Sequence, residues 1–149
     1  MIYIDTSVLV SALTKEARTV LSQSWLAAQE AAELTISDWT VAEFASALSL
    51  KLRMGTLNEE YRAAALSEFA RLSAETLRVL PVARADFHFA ARFADQWRLN
   101  LRAGDALHLA ICADHGAFLC TFDSRLAEAA VHAGVPLRTV KGEPQAPDG

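Results

Sequence analysis

The sequence predicts an α/β fold in which helices cover both faces of a short, mostly parallel central sheet. Short segments of β-branched, aromatic and aliphatic residues alternate along the chain with longer segments of helical periodicity. This alternation is typical of parallel sheets, whose strands are connected by helices. The length of 149 residues fits one domain. We expect that domain at residues 1–141 and a disordered tail at residues 142–149, because the tail has almost no apolar content.

Four segments have the composition of buried strands. Each is short and consists mainly of β-branched, aromatic or aliphatic residues, which pack well on a pleated surface. A further segment at residues 135–140 is a candidate for an additional edge strand. The four predicted strands cover residues 2–4, 34–36, 77–80 and 118–122.

The intervening segments predict helices with recognisable ends. Asp5, Thr6 and Ser7 supply N-cap chemistry for the apolar turn that follows the first strand. Glycines follow the last turns of three helices, at positions where a left-handed residue commonly ends a helix. The other predicted helices cover residues 15–31, 38–54, 58–76, 85–98, 105–116 and 124–133. In the helix at residues 38–54, Val41, Phe44 and Leu48 are expected to face the sheet.

Composition narrows the classes of function. Hydrophobic residues make up 52% of the chain and charged residues 21%, which is ordinary for a compact domain with a core. The net charge of -4 argues against a protein that coats nucleic acid by bulk attraction, although it leaves room for a local basic rim. The first residues lack the basic start of a signal peptide, and no apolar run is long enough to span a bilayer. We therefore expect a cytoplasmic protein with reduced, buried thiols at Cys112 and Cys120.

Four acidic residues stand where packing alone does not require them. Asp5 and Asp123 each follow a predicted strand. Asp105 begins a helix that is apolar nearly all round, and Glu43 interrupts an apolar stripe of the helix at residues 38–54. Simpler interpretations stay open at this point: Asp105 could cap its helix, and Glu43 could lie at an exposed fringe or pair with an arginine.

The predicted topology brings these acids together. Ligands of parallel sheets bind outside the carboxyl ends of the strands, where all four acids are expected to converge. Two unit charges about 4 Å apart repel by about 4 kcal/mol at an effective dielectric constant of about 20, so the cluster calls for a cation. An all-oxygen set suits Mg²⁺ or Mn²⁺, whereas no histidine forms a zinc-type ligand pair with a cysteine. We interpret His108, three residues after Asp105, as a packed, hydrogen-bonded helix residue rather than as a brace of the site.

Four segments together resemble the PIN-domain ribonucleases and, within them, the small VapC-type toxins of toxin–antitoxin pairs. The segments are YIDTSVL at residues 3–9, residues 37–48 around Glu43, GDALHLA at residues 104–110 and TFDSRL at residues 121–126. Each is weak alone, but the set follows the family's order and spacing over nearly the whole chain. The resemblance implies a PIN-like three-layer α/β/α domain.

The resemblance also implies a site and an activity. The family's acidic quartet corresponds to Asp5, Glu43, Asp105 and Asp123, and its polar supporting positions correspond to Thr6, Ser7 and Thr121. Mg²⁺, which Mn²⁺ would replace, is expected mainly on Asp5 and Asp105, while Glu43 and Asp123 would hold water at the ion or a second ion. The implied function is that of a toxin: a magnesium-dependent endoribonuclease that cleaves an RNA phosphodiester. The implied partners are the RNA substrate, a second copy of the chain, and a cognate antitoxin whose segment crosses a hydrophobic groove and reaches the acids.

Two arginines precede the helix that begins near Asp105. Arg98 and Arg102 are expected to form part of a basic rim that guides phosphate toward the acids, despite the negative net charge.

Two other functions compete with this interpretation. A phosphatase of the haloacid dehalogenase type also has an aspartate after its first strand, but the position of its second working acid is Ser7 here. A catalytically silent PIN domain that acts as a partner-binding module is the stronger alternative, although the complete acidic quartet favours the enzyme.

Overall fold

A four-stranded parallel sheet lies at the centre of the computed structural model, which describes residues 1–142. The strands are β1 (Ile2–Ile4), β2 (Leu34–Ser37), β3 (Arg78–Leu80) and β4 (Phe118–Cys120). They lie in the order β3-β2-β1-β4, and every neighbouring pair is parallel. The predicted α/β fold is therefore confirmed, and β1 lies in the middle of the sheet.

Seven α-helices connect and cover these strands within residues 1–142. They are α1 (Thr6–Leu13), α2 (Thr19–Ala27), α3 (Asp38–Arg53), α4 (Glu59–Glu75), α5 (Arg84–Asp95), α6 (Ala103–His115) and α7 (Ser124–His132). Short 3₁₀ turns lie at Ala31–Glu33 and Trp97–Leu99. In this part of the chain, no helix combines the length and apolar character needed to cross a membrane.

The side chains of β1 alternate between two hydrophobic cores. Ile2 and Ile4 pack with residues of α1, α2, α3 and α4, whereas Tyr3 packs with residues of α5, α6 and α7. This alternation follows from the two-residue period of a strand. Helices therefore cover both faces of the sheet, which gives the predicted three layers.

Two predicted helices are shorter than expected. The helix predicted at residues 15–31 covers only Thr19–Ala27. It begins at Thr19 because the Thr19 hydroxyl accepts from the Glu16 amide at 2.8 Å and donates to the Thr14 carbonyl at 2.7 Å. The helix predicted to reach Arg98 ends at Asp95 and gives way to a 3₁₀ turn, which Asn100 closes in the left-handed conformation.

The strand predicted at residues 118–122 ends at Cys120. Beyond it, the Phe122 amide donates to Ser7 Oγ and the Asp123 amide donates to Thr121 Oγ1, so side chains replace a neighbouring strand as acceptors. Residues 135–140 form no additional strand; a single bridge joins Leu119 and Leu137. Of the tail predicted to be disordered, residues 143–149 lie outside the described residues.

The inner face of α3 differs partly from the predicted one. Phe44 and Leu48 are fully buried as expected, together with Thr40 one turn earlier. Val41, which was expected to face the sheet, is 41% exposed, because the buried row follows the spacing of four residues that starts at Thr40. Leu50 also stays exposed on the outer side of the helix.

Candidate metal-binding site

The four predicted acids lie at the carboxyl end of the sheet. Asp5 directly follows β1 and caps α1, and Asp123 follows β4 and caps α7. Glu43 lies in the second turn of α3, and Asp105 in the first turn of α6. A cavity of about 600 Å³ opens here and is lined by Glu43, Asp105 and Asp123, while Asp5 is buried. The topology thus brings together the residues that the sequence suggested.

Hydroxyl groups hold one oxygen of Asp5. Its Oδ2 accepts from Ser7 Oγ at 2.7 Å and from Thr121 Oγ1 at 2.8 Å. The Asp5 amide donates to the Cys120 carbonyl at 2.9 Å, which fixes the backbone between β1 and β4. Ser7 and Thr121 therefore lie at the supporting positions implied by the resemblance. The other oxygen, Oδ1, lies 3.4 Å from His108 Nε2.

Glu43 is held from two sides. Its Oε2 accepts from Thr6 Oγ1 at 2.8 Å and lies 2.5 Å from His108 Nε2. Burial opposes ionisation of this carboxyl, but the hydrogen bond and positive charge of His108 and the bond from Thr6 outweigh burial, so the pKa of Glu43 is lowered. Glu43 is neither at an exposed fringe nor paired with an arginine.

Asp105 behaves differently from a capping carboxylate. Its pKa is raised, first by burial and then by the negative charges of Asp123, Asp5 and Glu43. A carboxylate stabilised by free amide groups at a helix start would instead have a lowered pKa. Asp105 therefore lies among other acids at the cavity and is more than a helix cap.

Asp123 has a structural role beside its place in the cavity. Its Oδ1 accepts from the amides of Arg125 at 2.9 Å and Leu126 at 3.3 Å, and thereby caps α7. One oxygen of Asp123 is thus used in folding the helix, and the other remains for the cavity.

His108 lies closer to the acids than the sequence interpretation assumed. It is fully buried and hydrogen-bonded, as expected, but its bonding partners belong to the site. Nδ1 lies 2.8 Å from the hydroxyl of Tyr3, which also lies 2.7 Å from Ser37 Oγ and 3.2 Å from Thr40 Oγ1. The available signal was its position one helical turn after Asp105, on a helix that is otherwise apolar.

Two arginines line the cavity. Arg102 and Arg125 are among its lining residues. Arg98 is not: it is exposed, and its guanidinium carbon lies 5.2 Å from the centre of the Trp97 ring. Arg125 was missed by the sequence analysis, although it follows Asp123 by two residues. The arginines of the cavity are therefore one predicted residue and one unpredicted residue.

The donor set fits a hard divalent cation. Carboxylate oxygens of Asp5 and Glu43 and the Nε2 atom of His108 lie within 4.8 Å of one another. Burial, followed by the negative charges of three neighbouring acids, raises the pKa of Asp105, and a cation would neutralise that negative charge. Oxygen-rich sites of this kind suit Mg²⁺ and Mn²⁺.

Replacing Asp105 with asparagine should stabilise the metal-free protein at neutral pH. A carboxyl whose pKa is higher in the folded chain than in the unfolded chain lowers folding stability wherever it is ionised. The gain should shrink as the pH falls through the raised pKa, and should be absent at about pH 3, where the carboxyl is protonated in both states. Urea unfolding with a chelator at both pH values measures this.

Asp38→Asn is the matched control, because Asp38 is an exposed acid in the first turn of α3. It should give no gain in the free energy of unfolding. A clear loss of stability in Asp105→Asn at neutral pH would mean that Asp105 chiefly caps its helix.

Solved structures share this fold at low sequence identity. The FitAB structure bound to an IR36 DNA fragment has a TM-score of 0.73 and 19% identity, and the match covers 98% of this chain and 100% of that chain. The sarcin–ricin loop cleaving toxin VapC20 of Mycobacterium tuberculosis has a TM-score of 0.69 and 20% identity, with coverage of 87% and 95%. A toxin–antitoxin complex from Klebsiella pneumoniae has a TM-score of 0.55 and 16% identity, with coverage of 83% and 88%.

Sequence comparison assigns the family. No curated protein matches the chain significantly. The sequence profile of the PIN domain, however, matches residues 2–132, which include all four acids and every strand of the sheet. The match agrees with the family suggested by the sequence motifs and with the fold shared with the solved structures. This chain belongs to the PIN domain family.

Proposed function

We propose that this protein is a metal-dependent endoribonuclease that acts as the toxin of a toxin–antitoxin pair. The observation that carries the proposal is the meeting of four carboxylates at one end of the sheet, where Asp105 has a raised pKa. Membership of the PIN domain family and the fold shared with an RNA-cleaving toxin support it. The proposed place of action is the cytoplasm.

The free carboxylate oxygens define what the site can hold. Asp5 and Asp105 would be the principal ligands of Mg²⁺ or Mn²⁺, with Glu43 and Asp123 beside them. When bound, such an ion supplies an activated water and neutralises charge on the phosphate oxygens. Ser7 and Thr121 hold Asp5 by its Oδ2 atom and so keep its Oδ1 atom available.

The cavity also offers groups for the substrate. Arg102 and Arg125 line it and can pair with phosphate oxygens on either side of the scissile bond. Glu43, whose lowered pKa keeps it ionised at neutral pH, can orient a water molecule beside the phosphate. Asp105 and Asp123 exclude anions from the acidic part of the cavity unless a cation is present.

The purified protein should cleave RNA only with Mg²⁺ or Mn²⁺, and Asp105→Asn should reduce the cleavage rate by at least about 100-fold, because a ligand to the ion is lost. The measurement is cleavage of a pool of structured RNAs with each ion and with excess chelator. Asp114→Asn is the control, because Asp114 lies exposed near the other end of α6.

Unchanged cleavage in excess chelator would contradict the metal dependence. A folded protein that cleaves no RNA with either ion would point to the catalytically silent, partner-binding module instead.

Charge reversal at Arg102 and Arg125 should weaken RNA binding and reduce its dependence on salt. The logarithm of the binding constant falls with the logarithm of the salt concentration, and each phosphate contact to single-stranded nucleic acid adds about 0.7 to the steepness of that fall. Losing both contacts should therefore make the slope less steep by about 1.4. Binding of uncleaved RNA to the Asp105→Asn protein over a salt series measures this. Arg98→Glu provides the comparison for the originally predicted rim: an equal effect there would show that the rim extends beyond the cavity.

An antitoxin and a second copy of the chain are the proposed protein partners. Their support is the fold shared with a toxin–antitoxin complex, together with apolar surface on this chain. A cavity of about 730 Å³, whose lining includes Leu13, Leu57 and Ala65, lies between the end of α1 and the start of α4. Leu50 of α3 and Met54, which follows the helix as its C-cap, are also exposed.

The chain should therefore be a dimer at micromolar concentration, and the protein encoded beside it should inhibit cleavage. Light scattering of the isolated chain measures the first expectation, and the cleavage assay with added neighbour protein measures the second. A monomer whose activity is unaffected by any small neighbouring protein would contradict both.

A further inference from the structure

His108 lies directly between two of the acids, at the boundary of the core and the cavity. Its side chain has no exposed surface. Nε2 lies 2.5 Å from Glu43 Oε2 and 3.4 Å from Asp5 Oδ1. On the opposite side of the ring, Nδ1 lies 2.8 Å from the hydroxyl of Tyr3. Both ring nitrogens are therefore in polar contact inside a buried environment.

The surroundings decide which nitrogen carries a proton. A bare Nε2 lone pair would face two carboxylate oxygens, which only accept hydrogen bonds. Nε2 must therefore carry hydrogen and donate it to Glu43. The Tyr3 hydroxyl can serve Nδ1 as donor or acceptor, since Ser37 and Thr40 complete its remaining bond in either case.

The two carboxylate oxygens of Glu43 therefore have different surroundings. Oε2 is occupied by His108 and Thr6. Oε1 lies beside Gly104, where a side-chain carbon would approach both Oε1 and the ring of Trp39 to 3.1 Å; all three residues line the cavity. The bonds to Oε2 thus leave Oε1 as the oxygen of Glu43 that lies beside Gly104 at the cavity.

Asp5, Glu43 and His108 could also be interpreted as a three-ligand metal site, because their ligand atoms lie within 4.8 Å of one another. An ion there would have to displace the Nε2 proton and break the bond to Glu43. The hydrogen bonds therefore favour His108 as a donor to the carboxylates rather than as a ligand.

We propose that His108 is a positioning residue, fixed by Tyr3, that donates from Nε2 to Oε2 of Glu43 and so directs Oε1 of Glu43 to a divalent ion on the cavity side. The inference rests on the proposed metal-dependent function. In this role, the histidine of the GDALHLA segment acts by holding Glu43 and contacts neither the ion nor the substrate.

Two substitutions of His108 test the contacts of its two ring nitrogens one at a time. In His108→Gln, the amide nitrogen can occupy the place of Nε2 and still donate to Glu43. In His108→Asn, the shorter amide can occupy the place of Nδ1 and still meet Tyr3, but it cannot reach Glu43. Both remove ring volume from the core, and the shorter Asn removes more, so the free energy of unfolding of each variant is measured beside its metal affinity; a purely structural histidine would lower the stability of both variants without a selective loss of metal affinity in His108→Asn.

The readout is Mn²⁺ affinity, measured by the electron paramagnetic resonance signal of free Mn²⁺ without RNA. His108→Asn should weaken binding about 10- to 100-fold, the usual effect of losing a partner of a metal ligand, whereas His108→Gln should recover most of that loss. His115→Asn is the control, since His115 lies exposed at the far end of α6. Equal affinities of the Asn and Gln variants would overturn the inference.

A measurement on the unsubstituted chain keeps the test independent of variant folding. In ¹⁵N-labelled protein, the Nε2 nitrogen of His108 should carry a proton both without metal and with saturating Mg²⁺. The resonance is assigned by its absence from His108→Gln. Loss of that proton on adding Mg²⁺ would show that His108 binds the ion, and would overturn the proposed role.

The outcomes also separate this inference from the proposed function. If the chain binds Mn²⁺ but cleaves no RNA, the ribonuclease function fails, while the affinities of the variants still decide the role of His108. If cleavage is metal-dependent and the Asn and Gln variants bind Mn²⁺ equally, the function stands and the positioning role fails. A chain that binds no Mn²⁺ overturns both.

Discussion

Repulsion among carboxylates at one end of the sheet is the constraint for which the surrounding structure has to compensate. The pKa of Asp105 is raised by burial and by three neighbouring acids. The pKa of Glu43 is lowered although burial opposes its ionisation, because His108 and Thr6 supply compensating bonds. The cluster therefore contains acids of two kinds: one held by hydrogen-bond donors, and one whose charge a cation would compensate.

Short strands and helix starts supply most of those donors. Ser7 and Thr121 follow β1 and β4, and both donate to the same oxygen of Asp5. Asp5 and Asp123 each cap a helix while they face the site. Because the helix ends depend on the same carboxylates as the proposed chemistry, these acids cannot be assigned to folding or to function alone.

A buried polar network connects the hydrophobic core to the acids. Tyr3 lies on the face of β1 that packs with α5, α6 and α7, yet its hydroxyl meets Ser37, Thr40 and His108. A buried polar network is tolerated when its members have partners, and it then specifies one arrangement of side chains. Here the contact of Tyr3 with Nδ1 fixes the His108 ring so that Nε2 faces Glu43.

The sequence alone determined the α/β class, the order of the strands and helices along the chain, and the acids that meet, because residue periodicity, capping residues and strand ends are local signals. It overestimated the length of two elements, because side-chain hydrogen bonds replace backbone ones at their ends: Thr19 shortens α2, and side-chain acceptors end β4 at Cys120. It also placed Val41 on the wrong side of α3, since the rotation of a helix depends on what packs against it. Only the tertiary structure decided that His108 faces Glu43 and that Arg125 joins Arg102 at the cavity, because these contacts join elements that lie far apart in the chain.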